Sequence, residues 1–242
     1  IVLASEDPEL VELAKSVGAD GINLAGMCCT GNEVIMRHGV RTAGDFHQQE
    51  LALVTGAVEA MIVDVQCIFP ALARVADCYH TKFITTSPKA KITGSTYMEF
   101  KEEDAFNIAK DIVRSAVLNF PNRDKSKVLI PEHKASSTVG YSTEAIVGQL
   151  DRVVNSQIDP AGTVKPLADC LKSGVLRGAV GVVGCNNAKG VSNLAHTTVM
   201  KELIKNDIIV VTTGCGASAA GKFGLLNKDA KKYAGKGLAT VC

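Results

Sequence analysis

The chain has 242 residues, 46% hydrophobic and 21% charged, with 26 basic and 25 acidic side chains and a formal net charge of +1. That is enough apolar material for one large or two ordinary α/β domains, and too much for a disordered segment. The balanced charge gives no reason to expect nucleic acid or an anionic membrane as a partner. No apolar run of about 18 residues exists to span a bilayer, and the absence of Trp argues against base stacking or carbohydrate binding.

In chain order, Ile1-Val2-Leu3-Ala4 reads as a short apolar strand. Leu10, Leu13, Ala14 and Val17 recur at helical spacing behind Pro8, which suits a first turn, and Gly18 ends that helix. Gly21 to Ala25 is a strand leading into Gly26-Met27-Cys28-Cys29-Thr30-Gly31-Asn32-Glu33, with Thr30 capping a helix that runs to about Gly39. A short strand over 40–45 and a helix over 48–54 follow. Ala60 to Gln66 is a strand closed by Cys67, 70–78 is helical, and 82–86 is a strand. Residues 89–100 read as an irregular connection, and Glu102 to Leu118 as an amphipathic helix with Ala105, Ile108, Ala109, Ile112, Val113, Ala116 and Val117 on one side. Phe120 to Lys125 has the Pro, Asn and charge of a linker, which divides the chain into domains 1–120 and 121–242. Beyond it come a weak strand at 128–130, a helix over 142–154, a loop over 155–165 and a short helix over 167–173. A strand running to Cys185, a helix over 192–205, a strand over 208–213 ahead of Cys215, and a helix over 217–226 complete the pattern.

Strands alternating with helices imply right-handed βαβ units and parallel sheets, and continuous Val/Ile strands imply sheets covered on both faces. The expected fold is α/β: two Rossmann-like domains with mainly parallel sheets. Such folds work beyond the carboxyl ends of their strands, and four of the eight cysteines, Cys29, Cys67, Cys185 and Cys215, stand at those ends. Helix N-termini directed there favour thiolate over thiol, and thiolates select zinc or iron–sulfur clusters. Structural zinc sites use close C-x₂₋₄-C spacing, which none of these four has. The long spacing therefore points to a cluster held at the strand ends between the domains.

The competing reading makes each cysteine a small core residue, since Cys is among the most buried types. Cys78 and Cys170 lie in helices and are read that way. His38, His47, His80, His133 and His196 form no metal-ligand pair, and Glu33 is explained equally well as a ligand or as a first-turn acid. There is no phosphate-binding G-x-x-x-x-G-K-[ST], and Gly214-Cys215-Gly216 carries Ala219 where a dinucleotide fingerprint has its third glycine.

Gly26-Met27-Cys28-Cys29-Thr30-Gly31-Asn32-Glu33, Asp64-Val65-Gln66-Cys67, Cys78-Tyr79-His80-Thr81-Lys82, Gly184-Cys185-Asn186-Asn187 and Thr212-Thr213-Gly214-Cys215-Gly216-Ala217 together resemble the catalytic subunit of nickel-containing, anaerobic carbon monoxide dehydrogenases. The resemblance implies interconversion of CO and water with CO₂, two protons and two electrons. The centre would be a Ni-4Fe-4S cluster with one pendant iron. Cys29 would bind the pendant iron, and Cys67, Cys185 and Cys215 would each hold one iron of the cubane. Cys28 would be a paired neighbour and not a ligand. It further implies a cytoplasmic homodimer that passes electrons to ferredoxin, an acetyl-CoA synthase subunit as a further partner, and additional 4Fe-4S clusters in a preceding domain. The pendant iron's histidine would lie upstream of Ile1, and the nickel-binding cysteine downstream, since Cys242 does not match its motif. The chain is accordingly expected to be a piece of a longer protein, inactive alone. The related hybrid-cluster reductases, which use an iron–sulfur–oxygen cluster without nickel, and a non-catalytic α/β fragment with buried cysteines, are the alternatives.

Overall fold

A computed structural model describes residues 1–33, 35–133, 135–138, 140–154 and 163–241. The chain divides into two compact units: Ile1–Gly31 with His38–Lys134, and Asn32–Arg37 with Ala135–Cys242. Every strand pairing described is parallel, as the alternating pattern predicts.

The first unit opens with α1 (Val2–Ser5) and α2 (Pro8–Ser16). The expected strand at Ile1–Ala4 is thus a helix. An apolar tetrapeptide has no period that separates the two states, and packing against a later helix decides it. Ala4 joins Leu10 and Ala14 of α2 in a core with Ala109, Val113 and Val117. Asp7 caps α2 by accepting the Glu9 N–H at 3.0 Å, and Gly18 leaves the helix at φ +89°. Next come β1 (Ala25–Met27), α3 (Cys28–Glu33) and β2 (Arg41–Gly44), with β1 and β2 paired. Because α3 already starts at Cys28, Thr30 lies inside it and does not cap it. Then follow α4 (Gln49–Val54), β3 (Ala60–Val63), α5 (Leu72–Asp77) and β4 (Lys82–Thr85). Residues 96–97, expected to be irregular, add β5 (Thr96–Tyr97) to the far side of β4; two residues are too few to carry a strand pattern. The last element is α6 (Ala105–Val117), which buries Ala109, Ile112, Val113 and Val117 of the predicted stripe and leaves Ala105, Ile108 and Ala116 half-buried. A second core joins Leu53, Leu72, Ala73, Ala76 and Phe83. Val128–Ile130 forms no strand, although the Leu129 N–H bonds the Thr55 carbonyl at 2.9 Å.

The second unit carries α7 (Thr143–Val154), α8 (Lys165–Lys172), β6 (Gly178–Val182), α9 (Leu194–Lys205), β7 (Ile208–Thr212), α10 (Gly214–Lys222) and α11 (Lys236–Val241). The loop read at 155–165 falls mostly outside the described residues. β6 and β7 pair over five residues. Leu176, Ile204 and Leu238 form one core, and Met200, Ala220 and Leu225 another. Contrary to the expectation of sheets covered on both faces, Val180 and Val211 are exposed (38% and 61%). No helix among the described residues is long and apolar enough to cross a membrane.

Candidate metal centre

All four candidate thiols stand just past a strand. Cys29 follows β1, Cys67 lies four residues past β3, Cys185 three past β6, and Cys215 three past β7. Cys215 is buried, Cys29 and Cys67 are half-buried, and Cys185 is exposed. Only Cys29 and Cys215 stand in the first turn of a helix. Cys67 and Cys185 occupy loops that precede α5 and α9, so the expected dipole contribution does not reach all four.

A local backbone rule links the sites. The residue before Cys29, Cys185 and Cys215 takes a left-handed conformation: Cys28 at φ +58°, Gly184 at +119° and Gly214 at +56°. At the fourth site Cys67 itself turns left-handed, at φ +54°. A chain leaving a strand must reverse direction within one or two residues to present a side chain at the strand end. Glycine does so without a Cβ clash; a side-chain-bearing residue pays about 1–2 kcal/mol and persists only where its surroundings hold it.

In the first unit a tight backbone crossing supports the turn. A Cβ on Gly26 would sit 2.5 Å from the Gly31 Cα, and one on Gly31 would lie 2.3 Å from the Gly26 carbonyl carbon. The two glycines bracketing Cys28-Cys29 are therefore in backbone contact. Gln49, at the start of α4 and 2% exposed, donates its amide Nε2 to the Cys28 Sγ at 3.4 Å and to the Cys67 carbonyl. Phe46 stacks on Phe69, two residues past Cys67, with centroids 4.2 Å apart.

The second unit uses other devices. Asn186, next to Cys185, donates Nδ2 to the Asn193 Oδ1 at 2.7 Å, and its Oδ1 accepts the Asn193 N–H at 2.9 Å. Both are buried, so this pair closes the loop that begins at Cys185. Asn193 itself is left-handed, at φ +66°. At the neighbouring strand end the Thr212 hydroxyl donates to the Val182 carbonyl at 2.7 Å. Gly216 packs against that bond: a Cβ there would meet the Thr212 Oγ1 at 2.4 Å.

Cys170 packs against the Leu176 core, as expected. Cys78 does not: it closes α5 on the surface, its thiol donating to the Arg74 carbonyl at 3.5 Å. A helix C-terminus lies beyond the buried stripe, which the assignment of Cys78 to the core overlooked. The Glu33 side chain and Cys242 lie outside the described residues. Among the described residues no three His, Cys, Asp or Glu side chains assemble a metal site. The donor chemistry nevertheless fits the implied group: four thiols at strand ends, of the softness that iron–sulfur clusters take, beside glycines that admit close approach.

Gln49 and Asn193 are what residue-level reading missed, and Asn186 stood in a quoted motif without a role. For Asn193 the only local cue is Asn at a left-handed position. For Gln49 the cue is indirect, the capping pattern Asp45-x-x-Gln48 just before it.

A family profile described as "Prismane/CO dehydrogenase family" matches residues 1–241. Carbon monoxide dehydrogenase 1 of Methanosarcina mazei is 57% identical over 242 residues, covering 100% of this chain and 37% of that protein. Carbon monoxide dehydrogenase 1 of Carboxydothermus hydrogenoformans is 46% identical over 232 residues, 95% of this chain and 36% of that protein. Among solved structures, a nickel-free carbon monoxide dehydrogenase from Thermococcus sp. AM4 superposes with a TM-score of 0.83 at 50% identity, over 100% of this chain and 37% of its own. The chain thus spans little more than a third of the length of these relatives. With the profile covering its whole described length, the chain belongs to the Prismane/CO dehydrogenase family.

Proposed function

We propose that this chain is the part of a nickel-containing carbon monoxide dehydrogenase that supplies Cys29, Cys67, Cys185 and Cys215 as ligands to one Ni-4Fe-4S cluster. The observation carrying this reading is the coincidence of two patterns: four thiols at the ends of parallel strands, and full-length similarity of the chain to carbon monoxide dehydrogenases. In the family-level assignment Cys29 would take the pendant iron and the other three would hold one cubane iron each. Two Rossmann-like domains contribute two ligands apiece. When bound, the cluster supplies the redox centre at which CO and water become CO₂, two protons and two electrons. The residues of this chain hold and orient it. Gly26 and Gly31 keep the backbone tight beside Cys29, the left-handed turns present the thiols, and Asn186 fixes the loop behind Cys185.

Nickel in this cluster rests on the family resemblance; a similar structure, an acetyl-CoA synthase/carbon monoxide dehydrogenase matched at a TM-score of 0.82 and 45% identity, carries nickel-bearing [Fe4S4] clusters in its alpha subunits. That structure, and a Moorella thermoacetica relative named carbon monoxide dehydrogenase/acetyl-CoA synthase subunit beta, make an acetyl-CoA synthase subunit a reasonable partner. A ferredoxin-type acceptor, a homodimer, a cytoplasmic site of action and further 4Fe-4S clusters outside this stretch complete the proposal. The stretch alone is expected to be inactive.

Metal analysis of the full-length protein, purified without oxygen, tests it. Nickel together with excess iron, and CO-dependent reduction of a viologen dye, are expected. Iron without nickel and no CO activity would favour a hybrid-cluster reductase, and absence of both metals would reduce the cysteines to packing.

A further inference from the structure

The Gln49 side chain is buried to 2% exposure, yet it carries no charge, packs in none of the apolar cores and is not among the proposed ligands. Its Nε2 reaches two strand ends at once: the Cys28 Sγ at 3.4 Å and the Cys67 carbonyl. Its Oε1 is equally buried and accepts no hydrogen bond among the described residues. A buried acceptor without a partner calls for an explanation, and local rules are broken chiefly at functional or strained sites.

The corner before α4 is built to aim this side chain. Gly44 leaves β2 at φ +150°, where a Cβ would strike the Gln48 Cβ at 2.6 Å. Asp45, fully buried, accepts the His47 N–H at 3.0 Å, while its own N–H donates to the Gln48 Oε1 at 2.9 Å. This reciprocal capping box fixes the first turn, and Gln49 is the next residue. The Phe46–Phe69 stack ties the same corner to the loop after Cys67.

The two atoms that Gln49 grips belong to the two left-handed cysteines, Cys28 and Cys67. We propose that Gln49 is a positioning residue for the cluster: its amide holds the Cys67 backbone in the left-handed turn and draws the Cys28 sulfur toward α4, so that Cys29 and Cys67 are the thiols presented to metal. This rests on the reading of Cys29 and Cys67 as ligands. Outer partners that orient metal ligands commonly alter metal affinity 10–100-fold when removed.

The test is Gln49→Met in the full-length protein, a side chain of similar length without the amide donor. After anaerobic purification the variant should unfold within a few degrees of the wild type in its metal-free form. It should carry about tenfold less nickel and iron per protomer, and its residual cluster should show a shifted electron paramagnetic resonance spectrum and midpoint potential. Wild-type metal content with an unchanged spectrum would overturn the proposal. So would metal loss that merely parallels a loss of folded protein. If the wild-type protein itself held neither metal, the functional reading would fail first and this inference with it.

Discussion

The strand-end corners of the two units solve one problem in two ways. In the second unit, glycine takes the left-handed turn before each candidate ligand, at Gly184 and Gly214, and backbone-directed polar bonds from Asn186 and Thr212 secure the adjoining loop and strand end. In the first unit, cysteine takes the left-handed turn, at Cys28 and Cys67, and a buried side-chain amide from another helix holds both. Glycine makes the turn cheap and independent of its surroundings. Cysteine makes it costly and dependent on a through-space partner. The first unit's corner is thus the one in which a single distant side chain, Gln49, bears on both left-handed turns.

The comparison can be broken at several levels. Replacing a ligand should have the largest effect in either unit: Cys67→Ser or Cys215→Ser in the full-length protein should cost more CO-dependent viologen reduction than the 10–100-fold typical of a residue behind a ligand. Cys78→Ser, on the surface, should cost none. Equal losses from Cys78→Ser and Cys67→Ser would remove the distinction between ligand and bystander.

Close packing comes next. Gly26→Ala and Gly216→Ala each force a Cβ into occupied space, against the Gly31 backbone and the Thr212 hydroxyl respectively. Each should destabilise by about 1–3 kcal/mol in denaturant unfolding. Gly26→Ala should be the worse, because its neighbour is backbone and cannot rotate away. The reverse order would show that the first unit's corner yields more readily than the glycine contact implies.

A sharper measure exchanges the two devices. Gly184→Ala meets no atom within 4 Å, so its cost should be conformational strain alone, about 1–3 kcal/mol at φ +119°. Cys28→Gly should relieve the milder strain at φ +58° and leave stability unchanged within about 1 kcal/mol. A large loss from Cys28→Gly would mean that the Gln49–Cys28 contact outweighs the backbone penalty.

The smallest effect lies away from these corners. Lys110 beside Asp7, and Arg114 beside Glu9, hold both carboxyls below their ordinary range. Carboxylates with depressed folded values contribute stability that is fully present above the usual carboxylate range, roughly pH 4, and that fades as pH falls through the depressed values. Between pH 8 and 5, Lys110→Met should therefore shift the midpoint of thermal unfolding by a constant small amount, and below roughly pH 4 the shift should shrink. A shift growing with acidity would have the wrong sign for this account.

Much of the candidate site was legible residue by residue. Val- and Ile-bearing strands running toward Cys67, Cys185 and Cys215 announce thiols beyond strand ends because side-chain periodicity and glycine punctuation are local properties, whereas the strand expected over 21–25 forms instead over Ala25–Met27, ahead of Cys29. The features that were not legible have two causes. The helix at Val2–Ser5 is selected by packing on α6 and β5 by pairing with β4, each a neighbour distant in sequence. The surface position of Cys78 follows from where α5 stops.

The sequence by itself determined the α/β alternation, the strand-end thiols and their spacing, since these derive from hydrophobic period and chain chemistry. Only the tertiary structure decided that Cys28 and Cys67 bear the left-handed turns and that Gln49 binds both. A residue 21 positions from one cysteine and 18 from the other acquires its role when folding brings three segments together, and no local propensity encodes that meeting.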